Sequence, residues 1–172
     1  MGKGLTAEHY QGIGEVVVVW ARLETHIVKV LRALTRMTMK EALVIYWQMG
    51  YRERLTVLRG LIITRHPSKD DTLRQNYKIL EERIASAYTK RNLVAHSIWF
   101  PGINTGEISP FDFSAKGGTL KIEGRGIKRP SFTAQTFSQQ AVEIDCLAED
   151  FKYFFSTNFN VRFIHKKLDN LN

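Results

Sequence analysis

Seven apolar residues, Ile13, Val16, Trp20, Leu23, Ile27, Leu31 and Leu34, recur at steps of three and four near the start of the chain. At 3.6 residues per turn they share one side of a helix. The spacing therefore predicts an amphipathic helix from Thr6 to about Leu34, and its stripe must be covered by other elements. The valines at 16–19 are β-branched and would suit a strand on their own. The helical period, held over about seven turns, outweighs that preference. The same valines with Trp20 make the greasiest run, far too short to cross a bilayer. The N-terminus also lacks a signal-peptide layout, so no membrane partner is expected. Gly12 and Gly14 either offer room for a neighbouring backbone or simply soften the first turns.

Three more helices come next. Thr38 can cap one running from Met39 to about Met49, with Gly50 ending it. The next, Tyr51 to about Arg65, turns Leu55, Leu58 and Ile62 inward and stops at Pro67. Ser68 with Asp71 reads as a capping-box variant that opens a long helix from Thr72 to about Ala95. After Phe100-Pro101-Gly102 the texture changes. Short alternating runs at Ile108–Phe113, Thr119–Ile122 and Ser131–Thr136 predict a β-hairpin or three-stranded insert over about 102–136. Thr136 with Gln139 then opens a last helix to about Thr157, packing through Ile144, Leu147, Phe151, Phe154 and Phe155. Residues 158–172 form a basic tail. Helices with one apolar face each predict a mostly α, antiparallel bundle of four to five helices, a single domain over 1–172.

A formal charge of +8 on 172 residues favours polyanionic partners, nucleic acid ahead of an anionic membrane. The single cysteine, Cys146, rules out an intrachain disulfide and suits a reducing cytoplasm. Its neighbours Ile144, Leu147 and Phe151 suggest a buried packing role. No P-loop, Gly-x-Gly-x-x-Gly or His-Glu-x-x-His is present, and one cysteine with scattered histidines cannot build a zinc cluster. Neither a metal nor another cofactor is expected.

The chemistry concentrates in Arg91-Asn92-Leu93-Val94-Ala95-His96, at the end of the fourth helix. Arg91 projects within about 40° of Ile84, the centre of that helix's apolar stripe, alongside Tyr77, Leu80 and Tyr88. A guanidinium so placed is costly unless it meets a carboxylate, a phosphate or a partner subunit. Arg91-Asn92-x-x-x-His96 in an all-α bundle resembles the HEPN superfamily. Its signature is an Arg, a gap of four to six residues and a His, commonly with Asn, Asp or His directly after the Arg.

The resemblance covers roughly 6–157, apart from the β insert. It implies a metal-independent endoribonuclease whose site forms where two protomers meet, often a toxin or an antiviral defence protein. It also implies RNA and a homodimer partner, with an antitoxin or nucleotidyltransferase as a further candidate. Arg59 and His66 satisfy the same gap, but Gly60 follows the Arg and His66 abuts Pro67.

The chemistry stands without the family name. RNA carries its own nucleophile, the 2′-OH, so cleavage needs a base, an acid and neutralisation of charge at phosphorus. An imidazole can move a proton near neutral pH, as His96 would. Arg91 offers a planar fork to phosphate oxygens, and Asn92 can orient His96 or hold one of those oxygens. Glu24, facing inward from the first helix, is the candidate to orient Arg91. Lys90 and the basic turn Arg125, Lys128 and Arg129 are candidate RNA contacts. Three plainer readings stand beside these. His96 could merely cap a helix C-terminus, the basic turn could be a solvated loop, and the bundle could bind RNA or a protein without cutting.

Overall fold

A computed structural model of the chain describes residues 4–66, 71–111, 113–116, 119–122 and 130–163. They form helices α1 (Ala7–Thr35), α2 (Met39–Gln48), α3 (Tyr51–Arg65), α4 (Asp71–His96) and α5 (Ala134–Phe159). The strands are β1 (Ile98–Pro101), β2 (Ile108–Phe111), β3 (Phe113–Lys116) and β4 (Thr119–Ile122). The class is mostly α, a helical bundle with antiparallel hairpins before the last helix, as expected. The chain packs as two compact units: 1–21 with 84–146, and 22–83 with 147–172. The dividing points fall inside α1, α4 and α5.

In the first unit, Val16, Trp20, Ile84, Val94, Phe137 and Ile144 are buried. Gly12 lets α1 and α5 approach closely: a Cβ there would lie 2.7 Å from Phe137 Cβ and 3.3 Å from the Ala134 carbonyl oxygen. At the N-terminus of α1, His9 is buried between two elements. Its Nδ1 accepts from the Thr6 amide at 3.2 Å, while Nε2 faces the Gly106 carbonyl at 3.2 Å. Those contacts select the tautomer with hydrogen on Nε2.

β1 pairs with β2 from Ile98↔Phe111 to Pro101↔Ile108, and β3 pairs with β4. The insert therefore begins at Ile98, ahead of the expected residue 102. The strand expected over Ser131–Thr136 shrinks to one bridge, Ile108↔Phe132. It shrinks because α5 opens earlier than Thr136. Thr133 Oγ1 accepts from the Thr136 amide and Thr136 Oγ1 from the Thr133 amide, both at 3.2 Å. Thr133 is thus the cap and Thr136 its reciprocal partner. Cys146 is exposed, a correction to the packing role expected of it. At 100° per residue it stands about 200° from Ile144.

In the second unit, Tyr77, Phe151, Phe154, Phe155 and Phe159 form an aromatic cluster, with Phe151 and Phe155 centroids 4.7 Å apart. Tyr77 also donates its hydroxyl to the Leu55 carbonyl at 3.2 Å. Burial pushes that phenol well above its ordinary pKa, and the Glu81 carboxylate adds to the rise. Contacts Tyr77–Phe154 and Arg83–Asp150 run in opposite order along α4 and α5, which are antiparallel. Contacts Glu24–Arg54 and Leu34–Arg65 run in the same order, so α1 and α3, two apart in the chain, are parallel.

Thr38 caps α2 in a full capping box with Glu41. Those bonds from the Thr38 amide and hydroxyl hold the Glu41 carboxyl below its usual pKa. Gly50 does not end α2 but caps α3, its amide donating to Glu53 at 2.6 Å. Pro67 and Ser68 lie outside the described residues, as does the tail from residue 164.

Candidate functional site

The site is built by the last turn and a half of α4 and by the sharp exit into β1. The helix runs through His96, and the Ser97 amide still donates to the Leu93 carbonyl at 3.2 Å. β1 starts at the next residue. Trp99 fixes this exit: its Nε1 donates to the Val94 carbonyl at 3.3 Å. Its ring stands edge-on to Phe132 at 5.3 Å and Phe137 at 5.1 Å, and those two rings stack. Reading the sequence alone overlooks Trp99. The available signal is a Trp three residues past a polar helix end, where its N–H can reach a C-terminal carbonyl that lacks an intrahelical donor.

Arg91, Asn92 and His96 are brought together. Arg91 Nη1 donates to Asn92 Oδ1 at 3.0 Å and lies 3.4 Å from His96 Nε2. For the second contact to be a hydrogen bond, Nε2 must present its lone pair, which places the ring hydrogen on Nδ1. Arg91 is half-buried, and its Nε is buried with no hydrogen-bond partner among the described residues. Among those residues no carboxylate pairs with its guanidinium. His96 is exposed. A fixed cation, an amide and an accessible imidazole therefore converge within hydrogen-bonding reach.

The supporting residues fare differently. Glu24 is engaged elsewhere, which corrects the expected Arg91–Glu24 bridge. Arg54 Nη1 donates to its carboxylate at 3.1 Å. That guanidinium is itself held by the Tyr46 and Met49 carbonyls and lies 3.7 Å over the Tyr46 ring. Arg54 stands three positions after the first residue of α3, and the carbonyls just before that helix orient it toward Glu24. Lys90 pairs with Glu143 at 2.8 Å, so its charge is locally offset. Arg125, Lys128 and Arg129 lie outside the described residues. The rival pair is weakened: Arg59 makes a two-pronged contact with Glu81, and His66 is the C-cap of α3.

Among the described residues no group of three or more His, Cys, Asp or Glu is placed to hold a metal ion. None of their helices is long and apolar enough to cross a membrane. No family model, curated protein or solved structure matches this chain.

Proposed function

We propose that this chain is a metal-independent endoribonuclease of the kind its HEPN-like motif suggests. The observation that carries the reading is the 3.4 Å approach of Arg91 Nη1 to His96 Nε2, with Asn92 Oδ1 on the same guanidinium. An exposed imidazole, able to act as a general base once a 2′-OH replaces Arg91 at Nε2, stands beside a fork suited to phosphate oxygens.

In this reaction His96 takes the proton from a ribose 2′-OH, and the 2′-oxygen attacks the adjacent phosphorus. Arg91 steadies the charge that builds on the non-bridging oxygens. The bond to the 5′-oxygen breaks and that oxygen takes up a proton. The products are a 2′,3′-cyclic phosphate and a 5′-hydroxyl. Two copies meeting at their α4 ends would supply one imidazole for each proton transfer, so we place the working site at a homodimer interface. Asn92 keeps the guanidinium in register.

The test incubates end-labelled single-stranded RNA with the protein in excess EDTA. Cleavage is expected with a 2′,3′-cyclic phosphate end, reduced about 10²- to 10⁴-fold by His96→Ala. Arg91→Lys should also lose most of the rate, because an ammonium cannot supply the fork. RNA that is bound but left intact by the unsubstituted protein would instead support a non-catalytic binder. Cleavage unaffected by His96→Ala would remove this site from the reaction.

A further inference from the structure

The second compact unit holds a concentration of charge that the Arg91–His96 chemistry does not use. A cleft of about 540 Å³ is lined by Lys29, Arg32, Arg36 and Arg162 over an apolar floor that includes Met37 and Val161. Among the described residues no carboxylate lines it and none of the four cations is in an ion pair. The nearest acid along the chain, Glu41, is turned to the Thr38 cap.

The plain explanation is that cations favour the C-terminus of α1. It falls short on three counts. The terminal carbonyls already have donors, with Arg65 on Leu34 at 2.9 Å and the Thr35 hydroxyl on Leu31 at 2.7 Å. Arg36 lies beyond the helix with φ 60°, a conformation that favours glycine. Arg162 comes from another element altogether. It follows Asn160, at φ 51°, and Val161, whose amide donates to the Phe155 carbonyl at 3.2 Å.

Lys29 and Arg32 stand about one turn apart on α1 and Arg36 follows just beyond its end, so the cations succeed one another in a row along the chain. A row suits a chain of phosphates better than a single anion. Among the described residues no aromatic side chain lines the cleft, which leaves bases without a stacking platform there. We propose that this cleft binds the sugar–phosphate backbone of single-stranded RNA, without regard to sequence, at about three consecutive phosphates. The choice of RNA as the polyanion rests on the ribonuclease reading.

The test measures fluorescence anisotropy of a labelled oligouridine against the full chain carrying His96→Ala, over a range of KCl concentrations. Substituting Arg32, Arg36 and Arg162 together by Ala should flatten the slope of log affinity against log salt by roughly 2, at about 0.7 per lost contact. The same three positions changed to Lys should keep the slope. If the triple alanine variant fails to fold by circular dichroism, Arg162→Glu alone must flatten it. An unchanged slope overturns the proposal, as does a Lys variant as weak as the Ala one. Binding to phosphatidylserine vesicles that these substitutions abolish, with RNA binding intact, also overturns it. Cleavage by the unsubstituted protein with an unchanged slope sinks the cleft alone. A flattened slope without cleavage sinks the nuclease alone.

Discussion

His26, on the buried side of α1, shows what one desolvated ring does to stability. It is 2 % exposed, its Nδ1 lacks a hydrogen-bond partner among the described residues, and its ring stands 5.2 Å from Phe163. Burial lowers its pKa below 6.5, outweighing a backbone hydrogen bond at Ala148 that acts the other way. The unfolded chain therefore takes up this proton first as pH falls. Stability should drop from about pH 6.5 downward, until the folded-state pKa is passed. Thermal melting between pH 7 and pH 5 is expected to show a falling Tm that His26→Phe flattens. Equal pH dependence in both proteins would reject this source. Carboxyls held low, such as Glu149 beside Lys152, lose their contribution only below about 4.5, a separate window.

At the scale of elements, the Thr133–Thr136 pair sets where α5 begins. Thr133→Ala removes the acceptor for the Thr136 amide and should cost about 1 kcal/mol, a Tm fall of roughly 2–4 °C for a chain of this size. Thr136→Glu, able to reach back to the Thr133 amide, should keep or raise Tm. The reverse ranking would return the cap to Thr136.

Helix content was legible because long apolar periods are local: α1 and α4 end within a residue of the spacing's forecast. The strands were less so. β1 carries no polar alternation to distinguish Ile98–Pro101 from a loop, and its pairing with Ile108–Phe111 depends on residues distant in sequence. Cys146 was misread because apolar neighbours in sequence stand on other faces of a helix.

Across the whole molecule, the motif could be read from the sequence but its company could not. The Arg91–Asn92–His96 cluster comes from helical spacing plus a hydrogen bond between neighbours in sequence. Which acid meets which cation does not. Glu24 goes to Arg54 through the local geometry at the start of α3, and Lys90 goes to Glu143 across 53 residues. The cationic cleft joins α1 to a segment after α5, so no window of sequence contains it.

Gly12 carries a consequence of the same long-range kind. Glycine to alanine normally strengthens a helix interior by about 1 kcal/mol. Here the added methyl would collide with the flank of Phe137, whose ring stacks on Phe132 and meets Trp99. Gly12→Ala should therefore lower Tm and, through Trp99, loosen the anchorage of the turn that bears His96. A residue with no side chain, eighty-four positions upstream, would then govern how steadily that imidazole is held, a dependence that scanning the motif alone would never reveal.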